Sequence, residues 1–486
     1  MKKYIILTFL IAWSLSTLAQ ISSSLPQREE QGERLLSLEQ LLDSALHHNI
    51  AIRNAEHDID AAKEQRKEAF TKYFPTISGT AMTFNANRGM AKMNMDPQDF
   101  IPSSLAATLS QMLPPEALVA LSSPISISMM KNGTIASIMA MQPVFAGGQI
   151  VNGNKLAKVG EDVSRLQLQL SENEVEKQTE QYYWQLVLLQ EKMRTLDAVD
   201  TLLNDIYKDV EVAVRAGVAL RNDLLQVQLR QNDMKSQRLK LENGISIIKE
   251  LLGQYCGLTP LSALPLDSSK NSSLSREGSS YYFDIIMPDI HQQDNSLPSL
   301  NKEGQGLVGL LPEYQLLQKQ VEATTLQKKM EVGKNLPTVA VGAGYNYHNL
   351  MDNDRTFAMA FATVSVPISD WWGGSHAIKR RKIAQQKAEE QLADNAELLK
   401  IRMQNAWNGV EEATQQLQLA QQSIEQAEEN LRLNRDRYRA GTSTMSNLLE
   451  AQLLYQQTKD KQTDAYADLQ LRLLDYRQAT GQEVNY

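Results

Sequence analysis

The sequence predicts a mainly α-helical chain that carries a small β part of membrane-spanning length and is built twice over. Three observations lead there. Arg215-Ala216-Gly217, six intervening residues, Leu224-Leu225 and Gln228-Leu229 return as Arg439-Ala440-Gly441, six residues, Leu448-Leu449 and Gln452-Leu453. The same offset of 224 carries Pro143 onto Pro367 and Gly257 onto Gly481, which marks a duplicated structural unit. An apolar period of 3.5 residues runs through each copy, and between the helical stretches lie short segments where that period vanishes.

Residues 1–19 come first. Lys2 and Lys3 precede an apolar run from Tyr4 to about Trp13 and a small-residue exit at Thr17-Leu18-Ala19, the pattern of a secretory signal peptide cleaved after Ala19. An uncleaved anchor is the alternative, but the run is short of the ~20 residues a spanning helix needs. Cys256, the one cysteine, lies far from Gln20, which argues against a lipoprotein anchor and rules out an internal disulfide framework.

A helix over residues 49–73 leads into Phe74-Pro75, and its counterpart over 311–335 leads into Leu336-Pro337, at an offset of 262. The difference from 224 is a 38-residue insertion in the first copy only, roughly residues 85–122. Strands are expected at 76–84 and 134–145, and again at 339–347 and 356–366, the last two joined by a polar turn over 349–355. Segments of 9 to 12 residues match the length a tilted strand needs to cross a bilayer. Four strands cannot close a membrane barrel, so a spanning sheet requires several chains; a soluble hairpin packed on the helices is the alternative. The insertion is rich in Met, Pro, Ala and Ser and reads as an outer loop. Met90, Met93 and Met95 lack a neighbouring Cys or His, which favours loop packing over copper binding.

The long helices follow, from about residue 155 to 215 and from about 378 to 439, or ~90 Å each at 1.5 Å per residue. In the second, apolar residues alternate four and three apart from Leu392 through Ala396, Leu399, Met403, Ala406 and Val410 to Leu431. A 3.5-residue period specifies a left-handed coiled-coil seam. In the first, Leu168, Val175, Tyr182, Leu186, Met193, Leu196, Leu203 and Val210 share that register, interrupted at Glu172, Thr179 and Asp200. Glycine turns at Gly217 and Gly441 then reverse the chain into helices of about 35 residues, ending near Gly257 and Gly481. Two short helices end to end beside each long one would make the wall of a tall cylinder; a soluble coiled-coil rod is the alternative and leaves the strands unexplained. The resulting organisation is 1–19 signal peptide, 20–257 first repeat, 258–310 a Ser-, Pro-, Asn- and Gly-rich connector, and 311–486 second repeat.

Composition narrows the function classes. Without Lys2 and Lys3 the chain has 47 basic and 57 acidic side chains, a net charge of about −10, so nucleic acid is not an expected partner. Six histidines without ligand spacing, His47-His48 being adjacent and divergent, give no metal site. No nucleophile elbow, phosphate loop or carboxylate pair stands out, so neither a cofactor nor an enzyme activity is expected.

The ordered set of export signal, duplication, paired strands, very long helices and Gly turn followed by Leu-Leu resembles the TolC family of outer-membrane efflux and secretion proteins, from about Leu38 to Gln482. The resemblance implies a homotrimer whose twelve strands form one barrel in the outer membrane of a Gram-negative cell, in contact with its lipid and continuous with a periplasmic α-helical barrel. It implies a passive duct that docks to a periplasmic membrane-fusion adaptor and an inner-membrane transporter. Efflux of small toxic compounds is the leading expectation, type I protein secretion the alternative within the fold, and a non-conducting periplasmic coiled-coil scaffold the alternative from another class. It also implies adaptor docking at residues 215–220 and 439–444, including Arg215, Gly217, Arg439, Gly441, Thr442 and Ser443, and a periplasmic gate at Asp223, Tyr438, Asn447 and Glu450. Asn447 and Glu450 stand where the family has two aspartates, and Ser443 where it has an arginine. Three copies of Glu450 would make an acidic ring favouring cations.

Overall fold

The structure, a computed structural model, describes residues 34–88, 91–95, 125–129, 132–258, 283–288, 308–350, 353–368 and 370–481, with single positions at 101, 105 and 114. The expected signal peptide, most of the 258–310 connector and Met90 lie outside the described residues.

Among the described residues, helices and strands follow in the order β1 (Arg34–Leu36), α1 (Leu38–His48), α2 (Ile50–Thr71), β2 (Thr76–Asn85), β3 (Ala91–Met95), β4 (Ile125–Met129), β5 (Asn132–Ala146), α3 (Gln149–Arg215), α4 (Arg221–Tyr255), β6 (Phe283–Ile285), α5 (Pro312–Lys334), β7 (Thr338–Leu350), β8 (Asn353–Ser365), α6 (Asp370–Arg439) and α7 (Met445–Thr480). The long helices reach 67 and 70 residues and begin earlier than the apolar seam alone indicates. Among the described residues no helix is long and apolar enough to cross a membrane. The chain divides into two compact units, one of Met1–His47, Gln178–Gln293 and Leu417–Asp468, the other of His48–Lys177, Asp294–Gln416 and Leu469–Tyr486.

The second of these units holds the sheet. Its order is β2-β5-β7-β8, antiparallel throughout, with β2 and β8 at the edges. Pairing of β7 with β8 runs from Thr338↔Ser365 to Leu350↔Asn353, so the hairpin is longer than expected. Residues 353–355, assigned to a turn by their polarity, belong to the sheet. Because side chains alternate across a strand, the register sorts them into two faces. One face bears Ile77, Ala81, Ala136, Ile138, Ala140, Val341, Ala343, Tyr345, Ala358 and Ala360 with Thr83, Thr134, Asn349, Asp354 and Thr356; the other bears Ser78, Thr80, Ser137, Asn346, His348 and Arg355 with Met82, Phe84, Ile135, Met139, Met141, Phe357, Met359 and Phe361. On the second face a Cβ at Gly342 would come within 2.4 Å of the Phe361 ring, so a larger residue there would displace that ring. The insertion is also not wholly loop. β3 and β4 pair antiparallel from Ala91↔Met129 to Met95↔Ile125, and alternating polar and apolar residues hide in a segment whose composition reads as irregular.

Strand gives way to helix in this unit through Gly147 (φ 60°) and Gly148 (φ 74°) ahead of α3. Gly147 lies against Gly333 near the end of α5, where a Cβ on Gly333 would stand 2.2 Å from the Gly147 carbonyl oxygen. The helical part closes over Val308, Leu311, Met403 and Ala479, with Leu399 and Ala406 packed against them. Met403 and Val410 on the α6 seam are buried, with the half-buried Ala406 between them. Full burial of such a side chain stabilises by ~1.5–3 kcal/mol. Glu161, buried on α3, is bracketed by Arg66 at 3.0 Å and Arg165 at 2.8 Å.

In the first unit the seam of α3 is buried at Leu186, Leu196, Leu203 and Val210, and a second stripe is buried beside it at Val187, Val199 and Ile206. β1 and β6 add a two-stranded parallel pair, Arg34↔Phe283 to Leu36↔Ile285, with Tyr183 Oη donating to the Ile286 carbonyl at 3.0 Å. Cys256, fully buried, has its thiol pushed up to about 12 by burial and is inert packing.

Gly333→Ala should lower the urea midpoint of the purified protein by the equivalent of ~1–3 kcal/mol, since the backbone must move to admit the methyl group. Gly160→Ala, whose Cβ meets nothing within 4 Å, should leave it unchanged or raised; equal behaviour of the two variants would contradict this packing.

Candidate functional site

The repeated Arg-Ala-Gly motif builds two near-identical helix ends. Gly217 sits at φ 77° and Gly441 at φ 73°, the left-handed region that a side chain disfavours. At the first, Gly217 N–H donates to the Val214 carbonyl at 3.1 Å and Val218 N–H to the Ala213 carbonyl at 2.9 Å. At the second, Gly441 N–H donates to Tyr438 at 3.0 Å and Thr442 N–H to Arg437 at 2.9 Å. Both are Schellman ends that satisfy carbonyls the helix cannot. Three residues separate each glycine from the start of the next helix. Thr444 Oγ1 accepts from the Asn447 N–H at 3.4 Å, an N-cap for α7. α4 has no side-chain cap at Leu220 but carries Asp223 in its first turn, favoured by the helix dipole.

Between the ends of α3 and α6 and the starts of α4 and α7 lies a cavity of about 650 Å³ whose lining includes Asp209, Val218, Asp223, Tyr438, Arg439, Gly441 and Ser443. Tyr438 packs on the buried cluster of Ile206, Val210, Val227, Met445 and Leu448. Burial, and then the negative charge of Asp223, push its phenol above the ordinary value, so it stays a neutral hydrogen-bonding group. Arg439 Nη2 reaches Asp209 Oδ2 at 3.1 Å across the cavity mouth. Both partners are more than half exposed, so the pair contributes no more than about 1 kcal/mol and is easily opened.

Of the residues singled out in the sequence, Asp223, Tyr438, Arg439, Gly441 and Ser443 therefore converge. Asn447 and Glu450 do not line the cavity: both are exposed on α7, Asn447 donating through Nδ2 to Ser443 Oγ at 3.3 Å. Arg215 is exposed and pairs within its own helix with Glu211 at 2.8 Å. Gly217 and Thr442 complete the turns. The first turn is apolar as well as exposed, with Val218 at 80% and Leu220 at 70% exposure, against Thr442, Ser443 and Thr444 in the second.

Sequence reasoning missed two features. Arg439–Asp209 is one; an arginine before the glycine, not after it, crosses to the neighbouring hairpin. The other is a polar layer between α4 and α7. Arg230 donates through Nε to Gln452 Oε1 at 3.0 Å and through Nη2 to Gln456 Oε1 at 2.9 Å, and Gln456 Nε2 donates to Gln237 at 2.9 Å. Gln452 is fully buried, and burial lowers the pKa of Arg230. Gln452 and its copy Gln228 belong to the repeated motif, which was the available signal. Nearby, Lys192 pairs with Asp464 at 2.7 Å, while burial, partly opposed by Lys192 and aided by Asp464, pushes Asp460 up to about 6. Among the described residues no group of three or more His, Cys, Asp or Glu is arranged to hold a metal ion.

Comparison with known proteins bears on this arrangement. A sequence profile of the family described as "Outer membrane efflux protein" matches residues 41–258 and 313–482. Three solved structures of similar fold are the outer membrane protein VceC of Vibrio cholerae (13% identity, 91% of this chain and 96% of that one, TM-score 0.66), the CmeC outer membrane channel of Campylobacter jejuni (14%, 94% and 90%, 0.66) and the open state of the MtrE outer membrane channel of Neisseria gonorrhoeae (13%, 91% and 88%, 0.65). A search of curated protein sequences gives no match.

A partly buried acid raised to about 6 favours the folded state while protonated. That contribution is present below about 3.8 and is lost as pH rises through about 6. Asp460→Asn should therefore raise the unfolding midpoint more at pH 7.5 than at pH 5; an equal effect at both values would contradict the raised pKa.

Proposed function

The chain belongs to the outer membrane efflux protein family, whose members are passive channels and not enzymes, and from that premise we propose that it is the outer-membrane exit duct of a tripartite efflux pump for small toxic compounds. In this reading three copies contribute twelve strands to one barrel, and the helices project into the periplasm as a second, helical barrel. The observation that carries it is the four-stranded sheet, with unclosed edges at β2 and β8 and exposed apolar side chains on both faces, Ile77, Ile138 and Val341 on one and Met82, Phe357 and Met359 on the other. Such a sheet in lipid needs partners for both edges, and closing with further copies supplies them.

The cavity at the Gly217 and Gly441 turns supports a gate between the two hairpins of each chain. Arg439–Asp209 holds α6 to α3 by a weak, solvent-exposed pair, and neutral Tyr438 lies beside Asp223. A closure made of such contacts can be released by a partner supplying only a few kcal/mol of binding energy. Glu450, exposed and outside the cavity, fits a ring facing the channel axis better than a lock within the chain. The exposed Val218 and Leu220 make the first turn the apolar anchor for a periplasmic adaptor, with the polar Thr442-Ser443-Thr444 turn beside it as rim.

Arg439→Gln is expected to raise single-channel conductance of the full chain in planar bilayers severalfold while leaving oligomeric mass unchanged; unchanged conductance would remove the pair from the gate. Val218→Asp with Leu220→Asp should abolish co-purification with a periplasmic adaptor without altering conductance. Retained co-purification would place docking elsewhere. Glu450→Gln should lower the cation preference read from reversal potentials, and an unchanged value would take Glu450 out of the constriction.

A further inference from the structure

The register brings four helix ends to one end of the sheet. β2 starts where β5 ends, at Thr76↔Met141; β5 ends on the start of β7, at Ala146↔Thr338; and the start of β7 meets the end of β8, at Thr338↔Ser365. The last turns of α2 and α5 and the first turns of α3 and α6 therefore gather at that end. Asn154 Nδ2 of α3 donates to the Ala69 carbonyl of α2 at 2.9 Å, and Arg381 Nη1 of α6 to Gln327 Oε1 of α5 at 2.9 Å.

Two layers follow, moving away from the strands. The first is apolar and exposed: Phe70, Tyr73 and Phe74 at the end of α2, Leu336 after α5, and Ile368 and Trp372 at the start of α6. Phe70 stands edge-on to Tyr73 and to Phe74, with ring centres 5.6 and 5.5 Å away. The second layer is basic. Residues 60–72, 149–161, 323–335 and 370–382, ~20 Å of each helix, hold thirteen Lys and Arg against six Asp and Glu, in a chain whose net charge is −8. Four of those acids already have partners: Asp60 pairs with Lys63, Glu64 with Lys67, Glu161 with Arg66 and Arg165, and Glu331 with Lys334 and Arg381. Lys155, Lys158, Lys329, Lys379, Arg380 and Lys382 are exposed and enter no ion pair among the described residues. From residue 371 to 388 α6 has no acid at all. Trp372, 87% exposed, and Lys379 lie seven residues and so two turns apart on one face of α6. A lysine ~10 Å beyond a tryptophan can extend its charged end back toward the level of the ring.

We propose that these cations, with Lys379, Arg380 and Lys382 at their centre, form a basic collar that binds the phosphate of anionic phospholipid headgroups in the leaflet on the helix side of the membrane. This rests on the barrel reading above. Apolar strands, then exposed aromatic rings, then cations is the order of a bilayer interface, where rings sit at the headgroup level and Lys or Arg meets anionic lipid. A dissolved anion would use the cations alone. A lipid uses both layers, its acyl chain covering the apolar side chains while its phosphate meets the charge. The collar then sets the depth at which the sheet rests in the bilayer.

The probe is phosphatidylglycerol brominated on its acyl chains, set against brominated phosphatidylcholine, and the readout is quenching of tryptophan fluorescence in the full-length protein reconstituted into bilayers. Phosphatidylglycerol should bind about fivefold more tightly, a preference that falls toward one at high salt. Lys379→Gln with Arg380→Gln and Lys382→Gln should bring it near one with oligomeric mass unchanged. Lys235→Gln with Lys240→Gln, exposed on α4, should keep the wild-type preference. Wild-type protein quenched alike by the two lipids overturns the collar and leaves the barrel intact. So does a triple variant that keeps the preference, or one that loses it only by coming apart into monomers, the result expected if these cations face carboxylates of a neighbouring copy. Absence of quenching by either lipid takes the sheet out of the bilayer and overturns barrel and collar together.

Discussion

Backbone hydrogen bonding at the edges of one small sheet is the constraint on which the rest depends. β2 and β8 each present a row of N–H and C=O groups with no partner in the described chain. In water such edges are tolerated at the risk of aggregation; in lipid each unpaired group costs several kcal/mol. On the proposed reading, a four-stranded sheet of this length placed in lipid would be completed by the edges of other copies. Duplication makes this economical, because each repeat supplies one hairpin and the pairing of β5 with β7 already joins the two hairpins into one ribbon. The Gly147–Gly333 contact then brings α3 and α5 together directly beneath the strands, at a spacing that only two glycines permit.

The first unit answers a different requirement. Its apolar clusters are small, and between α4 and α7 they give way to the Arg230, Gln452, Gln456 and Gln237 layer. A half-buried cation held by amide oxygens and by no carboxylate is costly to misalign, so the layer fixes the register between hairpins more than it stabilises them. Beyond it, at the glycine turns, the contacts become weak and exposed. A rigid polar layer followed by a loosely pinned tip is an arrangement in which the tip can move while the helices above keep their register.

Much of this was legible in the sequence because duplication repeats its own evidence. Gly217, Gly441, Gly257 and Gly481 were found by their shared offset, and all four have positive φ. Met403, Val410 and Ala427 were found by a 3.5-residue period and are buried. What escaped lacked either signal. β1 and β6 are three residues long and pair across nearly 250 positions, too short for any periodicity. β3 and β4 occur in one copy only. Arg355 looked like part of a polar turn because charge is rare in strands, but its pairing with His348 puts it in β8. Arg439 was singled out for docking, but its partner Asp209, on a neighbouring helix, carries no local signal that would pair them. Gln452 was read as part of a motif, but its burial follows from tertiary packing that no local pattern records.

The central claim is that the open sheet edges are closed by further copies of the same chain. Native mass spectrometry of the full-length protein released from detergent micelles tests it most directly. The account predicts a single trimeric species that persists at concentrations where nonspecific association is absent. A stable monomer would contradict it, because a lone chain leaves β2 and β8 unpaired and has no barrel to offer the membrane.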